Sequence, residues 1–485
     1  MGFGKSGRTV LEVILLCVLV VLPAAGTAGE YRAFFNHIHT VYSDDNPGWE
    51  DFKPSVGEVI AKADLVASGM GLEAAVTITD HDTIAGCLDP EFAPVGVAQP
   101  VKGQEWGSDG HGGVLNFTGD TAIPSYAGAD RYTLMANEVH ARGGVVIANH
   151  PRSSLPWKTD RRLGVDAIEI WNVLIWEPSD TLTLAWWQRL LAAGERVTGV
   201  GGSDSHFIFT PIESPMNLVW CESNDPDDVM EGVRQGHVIV LQTPVAYTAF
   251  PAADTDGDGE YDDAIVGDVI SISGPAAIDF QVTVEGAGPT DLLILSDREG
   301  AFYSGNVGSD PDWVGGGYYF SRTYDESERD FVRAELRTQN RIPYCLTNPI
   351  YVVGDLAPSG TEGEIRGTVR NTSGVAVGGA TVTVTPGEYS TDLTEADGTY
   401  AIVVPNGTYR VEAKKSGYVT QARTGVMVES AVSQANFSLA TSSCGTLPVG
   451  PAGGVGSAWS SGFASLLPFG WAWFYSRLRR RARRS

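Results

Sequence analysis

Between residues 31 and 241 short apolar runs (74–79, 145–148, 167–171 and 197–201) alternate with stretches of helical period (56–71, 132–143 and 182–194). Repeated β then α units of this length predict an α/β fold, built on a parallel sheet or an α/β barrel. Folds of that kind carry their chemistry at the carboxyl ends of the strands. From about residue 243 the pattern changes to short alternating strands with Gly, Pro and Asp turns, such as 279–284 and 291–295. That pattern predicts a β-sandwich running to 357, with one helical stretch at 325–336. After Pro358-Ser359-Gly360, period-two runs joined by Gly turns, among them Ile365-Arg366-Gly367-Thr368-Val369 and Ala380-Thr381-Val382-Thr383-Val384, predict a small seven-stranded sandwich over 361–440.

Length supports the division, since 485 residues exceed one core and suggest about three domains at roughly 150 residues each. With 58 glycines, 19% charged and 9% aromatic residues, the chain reads as folded and β-rich. Its formal net charge of −26 repels polyanions, which excludes long nucleic acid as a steady partner and leaves room for a small ester. Residues 1–28 place Lys5 and Arg8 before an apolar run at 10–22 and the small residues Gly26-Thr27-Ala28. This pattern fits a secretory signal peptide cut after Ala28, or else a short membrane anchor. Cys87, Cys221, Cys345 and Cys444 are too scattered to indicate a disulfide framework.

Residues 441–485 read as a tail. A Gly-rich then apolar stretch with Trp459, Trp471 and Trp473 is closed by arginines from Arg477 to Arg484, a basic cluster expected on the cytoplasmic side. With Cys444-Gly445 upstream it resembles the tripartite surface-sorting tails of Gram-negative bacteria. Sorting machinery is then an expected partner, and a permanent membrane anchor is the alternative. Either way the expected location is exported, in the cell envelope or at the surface, with release if the tail is cut.

Six of the eight histidines sit in short segments that also bear acids or end a strand: His37-Ile38-His39 with Asp44, Asp80-His81, Glu105 with His111, Asn149-His150-Pro151, and Asp204-Ser205-His206. Imidazole and carboxylate hold Zn, Mn or Fe in water-activating sites, and several strand ends are needed to surround an ion. In order and spacing these segments resemble the polymerase and histidinol phosphatase (PHP) superfamily over residues 34 to about 241. The resemblance implies a distorted seven-stranded (β/α) PHP barrel (29–242) followed by two β-sandwich domains (243–357 and 361–440).

It also implies a ligand set for two or three divalent transition metal ions. His37, His39, Glu105 and Asp204 would hold the first; Glu105 would bridge to a second held by His111 and His150; Asp44, His81 and His206 would take the third. Asp45 stands where the family usually has Gly. Glu105, Asp204 and Arg152 are the candidate catalytic residues, Arg152 as a clamp on developing oxyanion charge or else a solvated surface residue. Asp80 is expected to orient a ligating imidazole, Asp82 to cap a turn, and His140 and His237 to be structural.

Asp254, Asp256, Asp258 and Asp262 alternate as in a short calcium loop, though Ile265 occupies the position where an EF-hand has Glu. A solvated acidic turn is the alternative. The segment 361–440 resembles the carboxypeptidase regulatory-like domain, and Thr347-Asn348-Pro349-Ile350-Tyr351-Val352 resembles the close of the carbaryl-hydrolase-like branch of secreted PHP enzymes. The expected function is an exported metal-dependent phosphoesterase hydrolysing a small phosphate mono- or diester by metal-bound hydroxide. A carbamate or amide hydrolase on the same ions is the rival enzyme, and a catalytically inactive surface binding module the rival from another class.

Overall fold

The computed structural model describes residues 29–441 without 46–47, 109, 129–130, 154–156, 158–162, 245–246, 356–361, 386–388, 391–393, 395–397 and 429–431. The expected leader (1–28), the Pro358-Ser359-Gly360 linker and the tail from 442 onward, Cys444 included, lie outside the described residues. Among the described residues no helix is long and apolar enough to cross a membrane.

The alternating pattern folds as β1 (Glu30–Phe35), α1 (Val56–Met70), β2 (Ala74–Ile78), β3 (Ala98–Trp106), β4 (Gly112–Leu115), α2 (Arg131–Ala141), β5 (Val145–Ala148), β6 (Ala167–Asn172), α3 (Pro178–Ala192) and β7 (Thr198–Gly202). β8 (Met216–Cys221), α4 (Pro226–Gln235) and β9 (Val238–Leu241) follow. α1 shows how local signals place an element. Ser55 and Glu58 form a reciprocal capping box at its start, Gly71 ends it at φ 73°, and Val56, Val59, Ile60, Ala63 and Ala67 bury one stripe against the sheet.

β1 to β7 neighbour one another in chain order, and β4 alone runs antiparallel to both its neighbours. β2, β4, β5 and β7 are buried at every position, as strands covered on both faces must be. The sheet closes on itself at its carboxyl end. Ser203 N donates to Asn36 O (3.0 Å), Ser205 N to His37 O (3.4 Å) and His39 N to Ser205 O (2.9 Å).

Below that point no strand ladder joins β7 to β8 or β9, and two buried amides stand in for one. Asn217 accepts from Gly201 N (2.7 Å) and donates to Gly201 O (3.0 Å) and Phe34 O (3.1 Å). Asn348 accepts from Gly199 N (2.7 Å) and donates to Gly199 O and Val238 O (both 2.8 Å). Buried backbone groups need such partners.

Asn348 belongs to the second unit, so the composition change at 242 is not a clean structural boundary. The strand Pro343–Thr347 pairs antiparallel with β9 and carries the barrel sheet onward into one layer of a sandwich. The facing layer is a five-stranded sheet built on Thr248–Asp254, Ala276–Glu285 and Gly317–Tyr324, and residues such as Phe280, Tyr324 and Val352 fill the space between.

The helix expected at 325–336 is a strand, Arg329–Arg337. Its Ala, Glu, Leu and Arg content favours helix, but Val332, Ala334 and Leu336 alternate into the core while Arg333 and Glu335 pair on the other face (2.6 Å). Strand neighbours on both edges override the propensity.

The third unit has its own core around Ile365, Val382, Ile402 and Val411. Among its described residues are eight strands in two four-stranded sheets, one more than expected. The last strand is split into Val432–Gln434 and Phe437–Leu439, both pairing parallel with Glu362–Asn371, because Asn436 turns its own side chain to Thr368 N (2.8 Å). Among the described residues Cys87, Cys221 and Cys345 are buried free thiols.

Replacing Asn348 by Leu should leave Gly199 N and Gly199 O without partners and Val238 O with only the backbone N–H of residue 348 (3.2 Å). The expected cost is about 2 kcal/mol or more, read from the urea midpoint of unfolding. A loss below about 0.5 kcal/mol would show that the amide is not closing the sheet.

Candidate metal centre

The ends of six strands supply the polar groups, and a left-handed backbone turns several of them inward. His37, His150 and Asp204 have φ of 63°, 27° and 48°. Non-glycine residues adopt this region at a cost of about 1–2 kcal/mol each, and the surrounding bonds hold them there. His37 N donates to Thr77 Oγ1 (3.0 Å), Ile38 N to Thr79 Oγ1 (2.9 Å), and His150 N to Glu169 Oε2 (2.6 Å). Because β4 is antiparallel, His111, which precedes it, arrives at the same end of the sheet as residues that follow β1, β2, β5 and β7.

At the centre stands the fully buried carboxylate of Glu105, on β3. Oε1 faces His37 Nε2 (2.9 Å), His111 Nδ1 (3.0 Å) and His150 Nε2 (3.1 Å), and Oε2 faces His81 Nδ1 (3.2 Å) and His39 Nε2 (3.3 Å). Asp204 Oδ1 lies 3.5 Å from both His37 Nε2 and His39 Nε2 and 3.4 Å from His206 Nδ1. Donors sharing one tetrahedral ion with bonds of about 2.1 Å stand about 3.4 Å apart, which the Asp204 separations match, while the shorter Glu105 contacts are of hydrogen-bond length.

Outer partners fix which nitrogen faces inward. His206 Nδ1 lies 3.0 Å from Asp204 O, a carbonyl that can only accept, so Nδ1 carries a proton there and Nε2 turns toward Asp45. His37 Nδ1 meets Glu169 Oε1 at 2.8 Å, while His39 and His150 rest through Nδ1 on Ser43 Oγ (2.9 Å) and Ser153 Oγ (3.1 Å). Metal-ligating imidazoles are held in this way. Within this ring the buried His39 Nε2 and Glu105 Oε2 have no hydrogen-bond partner, though they face each other. Two orphaned donors converging on one space fit a cation, and the residues here suit Zn, Mn or Fe.

Electrostatics agree. Burial opposes charge on His37, yet Glu105, Glu169 and Asp204 outweigh it and raise its pKa well above the ordinary value. His39, also opposed by burial, is raised to about 9 by the facing carboxylates of Asp204 and Glu105. Glu105 and Asp204 are held well below the carboxylate range: burial works against this, and His37 leads the groups that overcome it. His81 goes the other way, to about 4, because burial prevails over Glu105 and the neighbouring imidazoles add to it.

Eight of the nine expected ligands converge: His37, His39, His81, Glu105, His111, His150, Asp204 and His206 fall into overlapping groups able to hold an ion. Asp44 does not. It is exposed, and the next residue, Asp45, places Oδ2 2.8 Å from His206 Nε2, with Lys53 Nζ 3.4 Å from its Oδ1. The buried Lys53 ties that loop down, donating to Ser43 O and Asp45 O, and so turns Asp45 inward.

Arg152 is not a clamp either. Its guanidinium lies over the Trp186 ring (4.5 Å) and points to Trp157 O, and Arg152 does not line the cavity at the cluster. Asp80 orients no imidazole; it accepts from Thr40 N (2.6 Å) and Thr40 Oγ1, fixing the turn after His39. Asp82 accepts from Gly107 N (2.9 Å), a turn contact. His140 and His237 pair with Asp166 (2.9 Å) and Asp268 (3.0 Å), away from the cluster.

In the acidic loop Asp254, Asp256 and Asp258 gather their carboxylates within 4.8 Å, but Asp262 stands outside, and Asp263 closes the loop on Thr255 N (2.7 Å). Sequence reasoning missed Glu169, Asn149, Ser43, Ser153 and Lys53. One signal for Glu169 was legible: a lone acid inside the apolar run 167–171. Gly202 is its counterpart, because a Cβ there would meet Glu169 Oε1 at 1.6 Å.

Residues 364–440 match the carboxypeptidase regulatory-like domain, which identifies the third unit. No curated protein matches the chain. Among solved structures it is similar to a two-domain protein containing a predicted PHP-like metal-dependent phosphoesterase from Bacteroides vulgatus, with 12% identity and TM-score 0.35 over 68% of this chain and 98% of that one. It is also similar to the major pilin subunit of Bacillus cereus, with 12% identity and TM-score 0.17 over 40% of this chain and 71% of that one. At these scores the metal reading rests on the geometry of the centre itself.

Exchanging Asp45 for Asn should weaken occupancy of the outermost position, whereas Asp44→Asn should leave it unchanged; metal stoichiometry by elemental analysis separates the two. Metal uptake should also release protons. His37 and His39 have raised pKa values in the ion-free protein and so are protonated near neutral pH, where an ion must displace those protons. Affinity should therefore rise with pH up to about 9 and fall as the solution is acidified, as calorimetry in two buffers of different ionisation enthalpy will show. Equal affinity at about pH 6 and about pH 8 would contradict this assignment.

Proposed function

We propose that residues 29–242 form a metal-dependent hydrolase of the PHP type, an exported phosphoesterase acting on a small phosphate mono- or diester. The observation that carries this reading is the buried carboxylate of Glu105 shared among five imidazoles, with Asp204 beside it. His37, His39, His81, His111, His150 and His206, with Glu105, Asp204 and Asp45, would hold two or three ions. Ions in such a setting lower the pKa of water to near neutrality and offset charge on phosphoryl oxygens.

The rest is done by this chain's own groups. The cavity is about 270 Å³ and is lined by His81, Glu105, His111, His150, Ser153, Asn172, Asp204 and His206. That lies just below the range of roughly 300–1,000 Å³ usual for small-molecule pockets, which suits a compact ester group and not a polymer. Ser153 and Asn172 present neutral polar groups at its wall, and Asn172 Nδ2 also steadies Glu169 Oε2 (3.2 Å). Among the described residues no lysine or arginine lines it, so an incoming phosphoryl group is met by imidazoles and by whatever cation they hold. The leader-like pattern at 1–28 supports export.

Glu105→Gln should abolish turnover of phosphate esters, by more than the 10–100-fold typical of losing an outer partner, while circular dichroism shows an intact fold. The assay is a panel of phosphate monoesters, diesters, carbamates and amides with elemental analysis of the purified protein. Turnover confined to carbamates or amides would replace the phosphoesterase reading. Absence of both metal and turnover would leave a binding module.

A further inference from the structure

The amino-terminal end of β7 borders a second, larger hollow, remote along that strand from Asp204 and His206. Two confluent clefts of about 310 and 660 Å³ lie where the chain after α3 and the end of α4 meet the second unit. Both are walled by Arg196, Val269, Arg329 and Tyr351. Arg32, Arg322, Arg333 and Arg337 each rest on a carboxylate.

Arg196 and Arg329 do not. Among the described residues neither guanidinium has an acceptor, and Arg329 Nε is buried with no hydrogen-bond partner. A buried donor left unmet is costly, and two guanidinium groups on one hollow make a ready fork for an oxyanion.

Several acids nearby are engaged elsewhere. Asp268 holds His237 (3.0 Å) and Ile265 N (2.8 Å), Glu231 holds Arg234 (3.4 Å), and Asp330 accepts from Arg298 N (3.0 Å) and Phe331 N (2.8 Å). The smaller cleft adds apolar wall from Leu191, Val269 and Val353. We infer that this cleft is a second ligand site, taking a small organic anion whose carboxylate or phosphate head lies between Arg196 and Arg329 and whose apolar body lies against Leu191 and Val269. Arg196 belongs to the barrel and Arg329 to the sandwich, so the ligand braces the two against each other. The inference does not depend on the hydrolase reading.

The test is calorimetric titration of the full chain with its resident metals, using benzoate and inorganic phosphate as separate probes. Binding of benzoate should be weakened roughly tenfold or more by Arg196→Gln and by Arg329→Gln, and unchanged by Glu105→Gln. Phosphate binding as well as benzoate, with the same dependence on the two arginines, would identify the head group alone as the determinant; benzoate alone would show that the apolar wall contributes. Arg196 is exposed, so its variant keeps the test valid if Arg329→Gln unfolds. Failure of both probes to bind at millimolar concentration, binding that survives both substitutions, or binding lost only in Glu105→Gln would overturn the site.

Discussion

The structure of the barrel depends on how one buried negative charge is satisfied. Glu105 lies in the interior of the sheet, where an unpaired carboxylate costs several kcal/mol, and only groups able to carry positive charge or hold a cation can offset it. Five imidazoles do so, and each is itself buried or half-buried and needs a partner on its other nitrogen. For His37, His39 and His150 the need is passed outward through Glu169, Ser43 and Ser153 until it meets ordinary backbone and side-chain bonds. Polar networks of this kind are stable only when complete, and among the described atoms of this one His39 Nε2, Glu105 Oε2 and Asn149 Oδ1 are buried without a hydrogen-bond partner.

That demand explains local features that would otherwise look like defects. Left-handed backbone at His37, His150 and Asp204 is strain in any other setting, and here it turns these side chains into one cluster. Gly202 leaves room for Glu169, and Thr77 and Thr79 extend the β2 ladder past its last strand residue to hold the His37 turn. The same economy of side chains closes the sheet, since Asn217 and Asn348 replace a missing ladder beside β7. The second unit is thus part of the barrel's integrity: it supplies Asn348 and extends the sheet through Pro343–Thr347.

Much was legible in the chain. Strand and helix periods located the β/α units, because burial on both faces forces continuous apolar runs and a stripe forces the helical period. The ligand segments were legible because a metal site admits few residue types, and those types are rare inside apolar runs. Asp44, Asp80 and Arg152 were misjudged for one shared reason. Each sits beside a candidate ligand in sequence, but which way a side chain turns at a strand end is set by a neighbour distant in the chain: Lys53 for Asp45, Thr40 for Asp80, Trp186 for Arg152.

By itself, then, the sequence determined most of the succession of elements and the residue types gathered at the centre, which follow from local period and composition. Tertiary structure alone decided that Asp45 and not Asp44 faces His206, that 329–337 is a strand, that Glu169 backs His37, and that an asparagine from the second unit latches the first. The physical reason is the same in each case. These outcomes turn on contacts between residues far apart in the chain, where packing and the pairing of buried polar groups outweigh local preference.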